Sequence, residues 1–175
     1  MNELIPTIYL SCVVLLLGTL VFFVSIQTIR TTRTEKQFYK LQKKLQKEKG
    51  SAQEYYELGS LYLNKKLYIQ ATNLFNKGLE IGKNLEPENQ ALIYNALGFS
   101  YLSQEQIDLA IRNYKNAIKL HPQYIIALNN LANAYEKKQM IEKAVETYEQ
   151  TLKSDLNNKI AKRRVKILSK RLATL

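Results

Sequence analysis

Two asparagines four residues apart, Asn129 and Asn133, carry the sharpest chemical signal in the sequence. On a helix they stack one turn apart on one face. A side-chain amide both donates and accepts, so such a pair can hold the backbone of an extended peptide. Leu92, Asn95 and Phe99, one segment earlier, would add an apolar strip with one amide. This is recognition chemistry, and the groups for covalent chemistry are missing. Histidine occurs once (His121) and cysteine once (Cys12). That leaves no basis for a nucleophile–base dyad, a multi-cysteine zinc site or an intrachain disulfide. No GxxxxGK[ST] or GxGxxG run offers a phosphate cradle. The expectation is a non-enzyme with no catalytic residue, no metal and no cofactor.

The elements that must position these residues are repeats. Gly98 answers to Ala132, Tyr101 to Tyr135, Ala110 to Ala144 and Tyr114 to Tyr148, each pair 34 residues apart. That is the period of the tetratricopeptide (TPR) repeat, a helix-turn-helix unit. The first copy closes with Ala117 and Pro122, and the second more loosely with Thr151 and Leu156. An earlier copy runs Gly59, Tyr62, Ala71, Phe75, with its anchors 39 residues before those of the next. The extra five residues fall around Gly82 to Gln90, where Pro87 can open a helix. A longer second helix in the first repeat, or a small loop after it, is expected.

The small residues have a packing reason. Gly59, Gly98 and Ala132 on the first helices, and Ala71, Ala110 and Ala144 on the second, mark where paired helices approach most closely. A larger side chain there would overpack. Tyr62, Tyr101, Tyr135, Phe75, Tyr114 and Tyr148 are read as core rather than as a binding box.

In such arrays the first helix of each repeat lines a concave groove. With repeats counted from Ala52, Ala91 and Ile125, positions 2, 5, 9 and 12 face it. These are Gln53, Tyr56, Ser60 and Leu63; Leu92, Asn95, Phe99 and Leu102; and Ile126, Asn129, Asn133 and Glu136. The carboxylate clamp of chaperone-tail receptors needs Lys at position 5 of the first repeat. Tyr56 stands there and Ser60 at position 9, which disfavours a chaperone tail as ligand.

Outside the repeats the chain changes character. From Leu4 to Ile29 no residue is charged. Twenty-two helical residues, Ile8 to Ile29, span about 33 Å, enough for a hydrocarbon core of about 30 Å. Pro6 sits near the start, where a missing N–H costs little. An acidic start and the length of the run favour an uncleaved anchor over a cleavable signal peptide. Residues 30–50 hold eight Lys/Arg and two Glu, and residues 159–175 seven Lys/Arg and no acid; the repeats between are near neutral. The basic excess directly after the span puts the C-terminal body on the cytoplasmic or stromal side. Thr34 and Gln37 have capping-box spacing, with Phe38, Leu41 and Leu45 following as a thin apolar stripe. This connector either meets anionic lipid or is a solvated spacer. Nucleic acid is a poor fit, since aromatics are not interleaved with its charges. At the end, Ala161, Val165, Leu168 and Leu172 make one apolar helix face. Its charges either face water or form a patch for an acidic partner or membrane.

The expected architecture is therefore all-α. An N-terminal transmembrane helix (1–29) leads through a basic connector (30–50) to a right-handed solenoid of three TPRs (about 52–85, 91–124 and 125–158). A basic capping helix (159–175) closes it. With the opening Met-Asn-Glu-Leu-Ile-Pro-Thr-Ile-Tyr-Leu, this arrangement resembles a family of small membrane-anchored TPR proteins of cyanobacteria and algal plastids needed for photosystem I assembly. The resemblance implies a thylakoid anchor, a stromal TPR body and transient contact with photosystem I subunits or other assembly factors. It brings no pigment, metal or catalytic residue. The alternative is an inner-membrane TPR scaffold for envelope biogenesis in an A/T-rich bacterium. The zinc-ribbon group of such scaffolds is excluded, since no Cys follows Cys12.

Overall fold

A computed structural model describes residues 4–174, apart from the side chains of residues 4–7 and 11. The expectations resting on Met1 to Glu3, on the side chain of Pro6 and on Ser11 lie outside the described residues. The chain divides after Lys44 into two units.

The first unit is most of one helix, α1 (Leu4–Lys47). Its apolar side chains point outward: Leu15, Leu16, Val21, Phe22 and Phe23 are all more than half exposed. Among the described residues, α1 is the one helix long and apolar enough to cross a membrane. Its hydroxyls suit that role. Thr19, Ser25 and Thr28 donate to the carbonyls of Leu16, Val21 and Val24 at 2.8, 2.8 and 2.9 Å. No hydrogen of theirs is left needing water. Despite its capping-box spacing, Thr34 starts no new helix. No Gly or Pro lies near it, and Thr34 Oγ1 donates to Arg30 O at 3.0 Å, back-bonding within one continuous helix rather than capping a new one.

The second unit contains seven shorter helices. They are α2 (Ala52–Asn64), α3 (Tyr68–Ile81), α4 (Pro87–Ser103), α5 (Ile107–Leu120), α6 (Ile125–Lys137), α7 (Ile141–Ser154) and α8 (Lys159–Leu172). The Ser51–Glu54 capping box forms: Ser51 Oγ accepts from Glu54 N at 3.2 Å, and Glu54 Oε2 accepts from Ser51 N at 3.0 Å. Two orphan donors at the start of α2 are thereby satisfied. Helices pair in sequence, α2 with α3, α4 with α5 and α6 with α7, and each pair packs on the next. The extra residues do not lengthen α3, which matches α5 and α7 at 14 residues. They form a loop and an added turn at the start of α4, which has 17 residues against 13 in α2 and α6. Pro87 opens that turn, and Gln90 Nε2 ties the loop by donating to Leu85 O at 2.9 Å.

Close approach explains the small residues. A Cβ on Gly59 would lie 2.6 Å from Phe75 Cε1, and one on Gly98 would lie 2.6 Å from Tyr114 Cε1. Ala71, Ala110, Ala132 and Ala144 are fully buried, as are Phe75 and Tyr114, with Tyr148 and Tyr135 nearly so; Tyr62 and Tyr101 are partly buried against these clusters. Each pair turns through a non-glycine residue in the left-handed region: Lys66 (φ 59°), Glu105 (φ 62°) and Gln139 (φ 62°). The next N–H then reaches back to a tyrosine carbonyl: Leu67 to Tyr62, Gln106 to Tyr101 and Met140 to Tyr135, at 2.9, 3.0 and 2.9 Å. This is the Schellman pattern, which satisfies orphan carbonyls at the helix end. Between the first two pairs runs a buried relay. Gln104 Nε2 donates to Thr72 Oγ1 at 3.0 Å, Thr72 to Ser100 Oγ at 2.7 Å, and Ser100 to Tyr68 O at 2.8 Å.

Candidate partner-binding groove

The first helices α2, α4 and α6 carry the expected groove residues, and the structure sorts these into three groups. The first group is open. Phe99 is 45% exposed, Leu92 and Ile126 are also exposed, and Asn133 is exposed with no hydrogen bond among the described residues. The Asn129 amide makes no hydrogen bond either, and its Oδ1 is buried. A buried acceptor without a donor costs about 1–3 kcal/mol.

The second group faces the groove but is already engaged. Tyr56 lies against Phe75, ring centroids 6.0 Å apart, and Ser60 Oγ donates to Tyr56 O at 2.9 Å. Asn95 Oδ1 accepts from Asn130 Nδ2 at 2.9 Å, and Asn95 Nδ2 donates to the Tyr124 hydroxyl at 3.4 Å. Gln53 Nε2 donates to Glu57 at 3.1 Å. Burial pushes the Tyr124 phenol above its ordinary pKa, Tyr56 adds to this, and the bond from Asn95 opposes it. Tyr124 therefore stays protonated at neutral pH, able to donate or to stack. Its ring meets His121 edge-on at 5.7 Å. With Glu88 and Leu92 these two line a cavity of about 200 Å³.

The third group, position 12 of each repeat, is not in the groove at all. Leu102 is 7% exposed and belongs to the core with Leu131 and Tyr135 of α6. Leu63 is partly buried against a cluster of Ala71 and Phe75 of α3 and Ile93, Ala96 and Leu97 of α4. Glu136 is bound to Arg164 of α8, with Arg164 Nε donating to Glu136 Oε2 at 2.9 Å and Nη2 engaging Oε1. The reason is shared. Position 12 lies in the last turn of each first helix, where that helix meets the next one, so the side chain fills the joint between neighbours. Leu102 is therefore closed off by the core rather than open in the groove, and Glu136 is already engaged by α8.

One wall was missed by reading the sequence. α8 docks through Ala161 and Leu168, and Asn158 caps it, its Oδ1 accepting from Ala161 N at 3.0 Å. Beyond closing the core, α8 lines a second cavity of about 370 Å³. Its walls are Asn129, Asn130 and Asn133 of α6, Tyr148 of α7, and Ile160, Arg163 and Arg164 of α8. Carrying the period of 34 one step past α6 would have found it. Ile126, Asn129 and Asn133 then correspond to Ile160, Arg163 and Ile167. The capping helix thus stands in the same register as the first helices of the three repeats.

Comparison with known proteins agrees with this geometry. TPR family models match residues 52–84, 98–139 and 125–158. An uncharacterised ycf37 protein of Cyanophora paradoxa is 38% identical over 96% of this chain and 97% of its own length. The Arabidopsis thaliana "Tetratricopeptide repeat domain-containing protein PYG7, chloroplastic" is 34% identical over 95% of this chain, which spans 56% of that protein. Among solved structures, the first TPR of Spaghetti (RPAP3) bound to an HSP90 peptide superposes with a TM-score of 0.64. It is 24% identical, covering 70% of this chain and 94% of that one, and it shares the fold. The chain belongs to the tetratricopeptide repeat superfamily and, within it, to the family of the ycf37 proteins.

Proposed function

We propose that this chain is a non-catalytic scaffold. It holds a protein partner against the concave face of its TPR array and assists the assembly or stabilisation of photosystem I at the thylakoid membrane. The observation that carries the reading is the open part of the groove. Leu92, Phe99 and Ile126 expose apolar surface beside Asn129 and Asn133, whose amides are unspent among the described residues. Aromatic anchors next to polar groups that fix orientation are what a peptide-binding surface needs. The likeness to ycf37 proteins and to a chloroplastic TPR protein supports a plastid or cyanobacterial setting. The resemblance of the opening stretch and architecture to photosystem I assembly proteins supplies the complex.

In this reading α1 is the membrane anchor, and the six Lys/Arg between Arg30 and Lys44 hold the TPR body on the stromal or cytoplasmic side. A tethered groove meets membrane-bound partners at high local concentration, so modest affinity suffices. Replacing Phe99 and Asn133 together by Ala is expected to abolish co-purification of photosystem I subunits and to leave the helical circular dichroism intact. Unchanged recovery of those subunits overturns the reading.

A further inference from the structure

We propose that the cavity between α6 and α8 is a pocket for one carboxylate side chain within an extended partner segment. Arg163 and Asn133 hold the carboxylate, and the unspent amide of Asn129 is left to bond the backbone of the same segment through Nδ2. The inference rests on the concave face being the partner surface and names the chemistry that this face selects.

Three observations meet here. First, the two arginines in the cavity are not equivalent. Arg164 is committed to Glu136, whereas Arg163 forms no ion pair or hydrogen bond among the described residues. The Arg164 charge is therefore neutralised, and Arg163 is left as the uncompensated cation of the cavity lining among the described residues. α8 carries seven Lys/Arg and no acid, so the local field favours an anion. Guanidinium geometry fits a carboxylate. Second, Asn129 lines the same cavity with an amide that makes no hydrogen bond, its Oδ1 out of solvent. Such an amide can donate through Nδ2 to a carboxylate or to a backbone carbonyl of a passing segment. Third, apolar surface continues on either side. The position-9 residues run Phe99, Asn133, Ile167 across α4, α6 and α8, and both Phe99 and Ile167 are exposed. A segment that covers both passes through the pocket rather than ending in it. That favours an Asp or Glu side chain over a chain terminus, and one free cation favours a single acid.

The test uses the full chain in detergent micelles and fluorescent peptide pools with randomised apolar and polar flanks. One pool, blocked at both ends, has Glu at its centre, and a second, identical pool has Gln. A third pool lacks acids but has a free C-terminal carboxylate. The Glu pool is expected to bind about tenfold or more tighter than the Gln pool, the scale of one charge-assisted hydrogen-bonded contact. Arg163→Gln should erase that preference. Lys162→Gln, which removes the same charge outside the cavity, should keep it. Phe99→Ala should weaken both blocked pools alike. Equal binding of the Glu and Gln pools, or a preference that survives Arg163→Gln, overturns the pocket and leaves the groove reading intact. Tightest binding by the third pool overturns the side-chain assignment in favour of a terminus. Binding by none of the pools overturns the groove reading as well.

Discussion

The attachment of α8 can be tested quantitatively through the Arg164–Glu136 pair. Both side chains are largely out of water, at 28% and 18% exposure. Exposed pairs are worth less than about 1 kcal/mol, while removing one partner of a buried pair costs about 3–5 kcal/mol. This pair lies between those limits. Arg164→Leu leaves the Glu136 carboxylate largely buried without its cation and is expected to cost about 2–4 kcal/mol. Glu136→Leu leaves an arginine whose long stem can swing its head into water, so about 1–2 kcal/mol is expected. The double Leu variant replaces the pair by apolar contact and should be within about 1 kcal/mol of the parent. Against singles that sum to about 3–6 kcal/mol, the resulting coupling is about 2–7 kcal/mol in magnitude, strongly non-additive. Urea unfolding of the full chain in micelles, followed by circular dichroism, measures it. Amide exchange should show the loss of protection concentrated in α8. A coupling under about 0.5 kcal/mol, or protection lost evenly along the array, would refute the view that this pair fastens the last groove wall.

Other outcomes follow from the same packing. Gly98→Ala should destabilise by about 1–2 kcal/mol: the methyl would meet Tyr114 Cε1 and Cδ1 at 2.6 and 2.7 Å, and overpacking outweighs the helix-propensity gain of about 1 kcal/mol. Tyr114→Leu in the same chain should relieve the crowding and Tyr114→Phe should not, because ring carbons make the contact. Tyr114→Phe alone should be neutral or stabilising by about 1 kcal/mol, since the buried hydroxyl has no partner and Phe75 fills the equivalent site in the first repeat. Burial also raises the Tyr114 phenol above its ordinary value of 10.0. The unfolded chain therefore ionises first, and stability falls above about pH 10 by up to about 1.4 kcal/mol per pH unit for this group. Urea titrations at high pH should show a shallower fall in the Phe variant. Glu105→Gly should raise stability by about 0.5–1 kcal/mol in urea unfolding, because the exposed Glu105 sits at φ 62°.

The helix pairs were legible because their determinants repeat. The Gly/Ala and Tyr/Phe positions recur at fixed spacing, and each contact they make is local to a pair or its neighbour. What escaped was set by the joints between elements. Thr34 and Gln37 carry capping-box spacing, but with no helix breaker nearby the Thr34 hydroxyl bonds back to Arg30 and α1 runs on. The left-handed turn residues Lys66, Glu105 and Gln139 lack the glycine that would have marked them. Position 12 was assigned to the groove by analogy along one helix, while its surroundings are fixed by the next helix. The basic C-terminal segment showed its apolar face plainly, but its second role as groove wall depends on Glu136 drawing Arg164 away and leaving Arg163 outward.

In the proposed function the open concave face holds a membrane-bound partner during photosystem I assembly. The most direct measurement is native-gel migration of the tagged chain from solubilised membranes of its own host, run beside the Phe99→Ala/Asn133→Ala variant. The parent chain should lie in the membrane fraction and co-migrate with photosystem I intermediates, and the variant should stay in the membrane but be released from them. A soluble chain, migration with envelope proteins, or a variant that still co-migrates would contradict it.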